Sequence, residues 1–142
     1  MSQTDRTEVA ALLARVGLGV MFIAHALLKL LVFTVPGTVQ FFESVGFPGA
    51  FAYVTIAAEL GGGLLLVLGV YPRVVAVALI PILLGAASVH AGNGWVFNAP
   101  NGGWEYPAFL TLVAVIVALL PAERFALVPR PTRTSAATLA RA

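Results

Sequence analysis

The sequence predicts an all-α integral membrane protein, a four-helix bundle with its N- and C-termini in the cytoplasm. Three observations carry that expectation. Hydrophobic residues make up 60% of the 142 positions and charged residues 10%, where a soluble domain has about 25% charged. The apolar residues fall into four long runs, and a lipid-exposed backbone must satisfy its own hydrogen bonds as helices or a closed barrel. The runs are long and show no period-2 alternation, which favours helices over barrel strands. The length allows a single domain.

The first eight residues, MSQTDRTE, are polar and of mixed charge. No small-residue cleavage site follows a short apolar core, so a retained cytoplasmic N-terminus over residues 1–8 is expected. The four-helix transmembrane domain is placed at residues 9–121. Span one runs from Val9 to Phe33, span two from Gly49 to Val70, span three from Val74 to Ala91 and span four from Tyr106 to Leu120. A span needs about 20 apolar residues. Span four, bracketed by Pro107 and Pro121, is short and fits a thinned bilayer or an extension into the preceding loop. Loop one, TVPGTVQFFESVGFPG, is amphipathic, and Phe41, Phe42 and Phe47 are expected to dip into lipid from the interface. Loop two, GVYPR, is a tight turn. Loop three, SVHAGNGWVFNAPNGGWEYP, holds the sequence's two Trp. Residues 122–142 form a basic tail, expected to be disordered.

Arginine sets the orientation. Arg6 and Arg15 mark the N-terminal side, Arg73 marks loop two, and Arg124, Arg130, Arg133 and Arg141 mark the tail, whereas loops one and three contain no Arg or Lys. The termini and loop two are therefore expected inside, and loop three outside. Arg15 lies near the inner boundary, where snorkelling to the headgroups is expected. The net charge of +2 gives no case for nucleic-acid binding. The absence of cysteine excludes a CxxC relay, a Cys-ligated iron–sulfur cluster and any disulfide.

An ionisable group inside a span marks function, because placing it there costs about 2.5–3.5 kcal/mol on insertion scales. At about 1.5 Å per residue, His25 falls roughly 12 Å and Lys29 roughly 6 Å below the outer end of span one. Glu59 falls about 14–15 Å below the same surface. His90 and Glu105 sit at the outer ends of spans three and four. These five groups are expected to converge on the outer half, with Glu59 paired to His25 or Lys29. On span two, Ala52, Thr55, Glu59, Gly62 and Gly63 form a small, polar stripe suited to close helix approach. Pro81 is expected to kink span three.

The candidate ligand-binding set is His25, Lys29, Glu59, His90, Glu105, Trp95, Trp104 and Asn93, under loop three as a lid. For Trp95, Trp104 and Tyr106 the simpler reading is interfacial aromatics. Bis-His haem ligation would need His25 and His90 at one level, and they differ by roughly 10 Å in depth. His90, Glu105 and His25 lack the close ligand spacing of a metal site.

Four stretches then carry a resemblance: RVGLGVMFIAHALLK from Arg15, FFESVGFPG, AAELGGGLLLVLGVYPR, and HAGNGWVFNAPNGGWEYP. Over about residues 9–125 the chain resembles the DoxX family of small bacterial membrane proteins. Two features depart from the family pattern: Ala26 stands where members often have Gly after the His, and the Gly-Pro-Gly-Arg-type ending is missing. The resemblance implies a four-span bundle in the bacterial inner membrane. The family name comes from a subunit of a thiosulfate- or quinol-linked oxidoreductase. The expected function is thus an accessory subunit of a quinone-linked oxidoreductase system, with no intrinsic cofactor, and with lipid, quinone and a redox protein as partners. A non-catalytic binding or assembly protein for a lipid or partner subunit is the alternative. A small transporter is a third reading.

Overall fold

In the computed structural model, residues 2–120 and 125–128 are described. Helix α1 spans Gln3–Leu27 and continues through a π-helical turn at Leu28–Val32. Its start is fixed by a capping box: the Ser2 hydroxyl accepts from the Asp5 amide at 3.1 Å, and the Asp5 carboxylate accepts from the Ser2 amide at 3.0 Å. The two segments together cover 30 residues, about 45 Å, against an apolar slab of about 30 Å. The polar first turns therefore stand outside the slab.

Most of amphipathic loop one is helical. This is α2, Val35–Ser44, with Thr34 as N-cap and Pro36 in the first turn. Phe41 is exposed, as the amphipathic reading expects, but Phe42 and Phe47 turn back. They form an aromatic row, Phe42 to Phe47 at 6.2 Å and Phe47 to Phe51 at 6.3 Å, which docks α2 on the start of the next helix. That helix, α3, spans Ala50–Leu68 and stops at Gly69, whose φ of 73° is a left-handed cap. The Val70 amide closes the cap on the Leu65 carbonyl at 2.9 Å. Helix α4 spans Pro72–His90 and remains helical through Pro81; a single 3₁₀ turn, Ala91–Asn93, follows. Helix α5 spans Glu105–Leu119, 15 residues, about 22 Å long. Among the described residues three helices are long and apolar enough to cross a membrane, and α5 is shorter.

The four long helices close into a ring. α1 packs chiefly on α3 and α4 on α5, with α3–α4 and α1–α5 contacts completing the circuit. Leu18, Phe22, Leu66, Leu79, Leu83 and Leu110 fill its centre. α1 and α3 approach closely at Gly19 and Gly63, where a Cβ on either would lie 2.8 Å from the other's carbonyl oxygen. With no hydrophobic drive between helices in lipid, such close packing of small residues is what holds two spans together. The outward faces expose Leu13, Val20, Leu31, Val54, Leu84 and Phe109, a coat suited to acyl chains.

The end of the bundle that holds Arg15 corrects one expectation. Arg15 does not snorkel; it is 2% exposed. Its guanidinium donates to the carbonyls of Leu66 and Val67, the latter at 2.7 Å, and at 3.5 Å to Phe125. The last carbonyls of a helix have no intrahelical donor and carry the negative end of its dipole. A forked cation satisfies both needs inside a low-dielectric bundle, so Arg15 serves as the cap of α3. Arg73 does the same for α5, donating to the Leu120 carbonyl at 2.7 Å. Part of the expected disordered tail is ordered: Val128 pairs with Val70, its amide bonding the Gly69 carbonyl at 3.1 Å. Arg124, Arg130, Arg133 and Arg141 lie outside the described residues.

Candidate functional site

Lys29 and Glu59 meet across the α1–α3 seam. The Lys29 ammonium donates to both carboxylate oxygens of Glu59 at 2.9 Å. Glu59 is 5% exposed as a residue, and the Lys29 side chain 18%. The pair lies 14 positions along the chain from Arg15, roughly 20 Å along the axis, at the opposite end of the bundle from the arginine caps.

Local structure explains how Lys29 reaches Glu59. It sits in the π turn, where the Phe33 amide bonds back to the Leu28 carbonyl at 2.9 Å. Such turns are rare and cluster at functional sites. Above it the chain reverses at Thr34, whose φ of 63° is a strained value for a β-branched residue. Thr38 on α2 is 3% exposed. Its hydroxyl lies 2.9 Å from the Thr34 carbonyl and 3.3 Å from that of Lys29. Helix α2 thus covers the π turn from the side.

His25 lies one helical turn before Lys29 on the same helix. Its Nδ1 lies 2.8 Å from the Met21 carbonyl. A carbonyl only accepts, so Nδ1 carries a proton and donates to it. The ring stacks on Tyr106 of α5, with centroids 5.7 Å apart and planes inclined by 24°. The Tyr106 hydroxyl is buried and has no hydrogen-bond partner among the described residues.

Loop three gathers its own polar groups. His90 Nδ1 lies 3.0 Å from the Asn101 carbonyl, and the Asn93 amide donates to the same oxygen at 3.1 Å. Glu105 accepts from the Phe97 amide at 2.8 Å. Trp95 and Trp104 stack edge to face at 4.4 Å. Of the eight candidate residues, His25, Lys29 and Glu59 form one cluster, while His90, Asn93, Trp95, Trp104 and Glu105 fold the loop onto itself. Among the described residues no hydrogen bond or ion pair joins the two groups; the nearest approach to a link is the stack of His25 on Tyr106, the residue after Glu105. Thr38 and Tyr106 were not in the sequence-derived set. Tyr106 carried a weak signal, as the aromatic next to Glu105 at the start of an apolar run. Thr38 carried none, because its burial depends on where α2 docks.

A membrane helical bundle with an acid–base pair between its first two spanning helices is the class of protein this fold and site define. The chain belongs to the DoxX family, whose model matches residues 10–92, from α1 through the end of α4. It is also similar to a Bacillus subtilis (strain 168) protein named "Putative oxidoreductase CatD", with 37% identity over 123 residues covering 86% of this chain and 87% of that one. No solved structure matches it.

Proposed function

We propose that this DoxX-family membrane protein is an accessory subunit of a quinone-linked oxidoreductase system, set in the bacterial inner membrane with its termini in the cytoplasm. The observation that supports this reading best is the Lys29–Glu59 pair near His25, buried at the end of the helical bundle opposite the arginine caps. A quinone has an apolar tail and a head with two carbonyl oxygens that need donors. An ammonium has three N–H groups, and Lys29 directs two at Glu59. The third is left for a carbonyl, and the partial exposure of the side chain leaves a route to it. Glu59 and His25 are groups that hold or release protons at a head group. The sequence has no cysteine to hold an iron–sulfur cluster, so on this reading the electrons come from a partner protein or pass directly between bound substrates. The name of the Bacillus relative points to the same reaction class.

The test is co-purification of quinone with the protein in native lipid, comparing wild type with Glu59→Gln. The reading expects bound quinone in the first and its loss in the second. One observation favours a non-catalytic assembly protein instead: Lys29 and Glu59 satisfy each other without a ligand. Stable partner subunits that survive both Glu59→Gln and His25→Ala, with no quinone bound, would select that alternative.

A further inference from the structure

Loop three turns an unbroken run of apolar side chains outward. Trp95 is 53%, Val96 49% and Phe97 65% exposed. Three consecutive large apolar residues facing water are unfavourable unless something covers them. The loop's polar groups meanwhile bond to one another. The Trp104 amide donates to the Gly94 carbonyl at 3.2 Å, and the Glu105 amide to the Trp95 carbonyl at 3.0 Å. The Ala99 amide donates to the Val96 carbonyl at 3.0 Å, and the Glu105 carboxylate accepts from the Phe97 amide. The two arms lie so close that a Cβ on Gly103 would strike the Val96 carbonyl oxygen. A backbone that satisfies itself while apolar side chains face out is what a low-dielectric surround demands. The helix that follows is short: α5 has 15 residues, about 22 Å, against an apolar slab of about 30 Å. Trp95 and Phe97 lie alongside its start, lining an open trough with Phe109 and Leu112. Phe109 also belongs to the outward apolar coat, so the trough continues the lipid-facing surface.

We propose that loop three is a membrane-seated cap on α5, whose trough takes one acyl chain of a phospholipid. The loop backbone lies at the headgroup level, and Trp95, Val96 and Phe97 reach the acyl chains of the adjoining leaflet. The bound chain lies between these side chains, Phe109 and Leu112. The cap supplies the apolar surface that α5 is too short to supply itself, at the level where indole rings are favoured. Glu105 is the positioning residue: by accepting from the Phe97 amide it ties the cap to the first turn of the helix.

Both tryptophans of the sequence lie in loop three, so tryptophan emission reads the cap alone. The full chain is reconstituted in vesicles of phosphatidylcholine and phosphatidylglycerol. The quencher is either potassium iodide on both sides of the vesicle or bromine on the acyl chains close to the glycerol. Bromine is expected to quench the wild-type emission strongly and iodide weakly. The contrast is expected to be clearest in Trp104→Phe, where Trp95 is the reporter. Ala108 lines the trough, and Ala108→Leu, which fills it, is expected to lower bromine quenching of Trp95. Glu105→Ala, which frees the Phe97 amide, is expected to raise iodide quenching, and Glu105→Gln, which keeps an acceptor, to preserve the wild-type pattern. Strong iodide and weak bromine quenching in wild type would make loop three a water-exposed lid and overturns the proposal. Weak quenching by both, with cross-linking of loop three to a second chain, assigns the trough to a protein partner and overturns it too. Bromine quenching that Ala108→Leu leaves unchanged overturns the acyl-chain trough.

Discussion

At the scale of single residues, Lys29 and Arg15 illustrate opposite uses of a buried cation. Lys29 neutralises a carboxylate on another helix, so removing it leaves Glu59 charged and unpaired in the apolar bundle. Lys29→Met is expected to destabilise the protein by about 3–5 kcal/mol, and Lys29→Met with Glu59→Leu to recover most of that loss. Thermal melts in mild detergent measure both. Quinone binding is expected to stay lost in the double variant, which separates stability from function. Arg15 instead caps carbonyls. Arg15→Ala is expected to cost about 2–3 kcal/mol, the value of hydrogen bonds to a charged group. Arg15→Lys is expected to recover only part, because a single ammonium cannot fork across Leu66, Val67 and Phe125 as a guanidinium does. Full recovery by Lys would contradict the capping role. The depth of Arg15 was legible in the sequence, but its partner was not: the carbonyls that recruit it belong to the end of α3, about 50 positions away in the chain.

At the scale of elements, the glycines of α3 give a matched comparison. A Cβ at Gly63 meets backbone on α1 at 2.8 Å, while one at Gly61 meets nothing. Gly63→Ala is expected to push α1 and α3 apart, at a cost of about 1–3 kcal/mol. Gly61→Ala is expected to be neutral or to stabilise the helix by up to about 1 kcal/mol. Equal melting temperatures for the two variants would contradict the close α1–α3 crossing. Hydropathy made the four spans legible to within a few residues, because the requirement for about 20 apolar residues is a strong constraint. It also placed the small stripe of α3 and the Lys29–Glu59 level, since depth follows from helical rise. It could not show the π turn at Leu28–Val32, which depends on hydrogen-bond register rather than composition. Nor could it show that Phe42 packs on Phe47 and Phe47 on Phe51, since an aromatic row and a lipid-dipping row have the same pattern.

At the scale of the whole molecule, the two ends of the bundle have different chemistry. One end is held by Arg15 and Arg73 on helix carbonyls and by the Val70–Val128 pairing. The other carries Lys29, Glu59, His25 and loop three. The proposed orientation, which follows the positive-inside rule, turns the first end toward the cytoplasm. The natural sequence has no cysteine, so single Cys substitutions report sidedness without further changes. Asn98→Cys is expected to react with a membrane-impermeant maleimide in intact spheroplasts, and Thr4→Cys only after lysis. The reverse pattern would invert the orientation and place the polar cluster on the inner side. Loop three shows where sequence reading reaches its limit: its His, Glu and Asn residues were legible as a group, but their partners are loop carbonyls and amides, set by backbone turns that side-chain pattern does not reveal.

The most direct measurement is photolabelling of the full chain in native lipid with an azido-quinone, followed by peptide mass spectrometry. The expected result is label on the α1 segment around His25 and Lys29 and on the first turns of α5, greatly reduced in Glu59→Gln. Label spread evenly over the lipid-facing positions of all helices, unchanged by Glu59→Gln, would contradict a quinone site at the buried acid–base cluster.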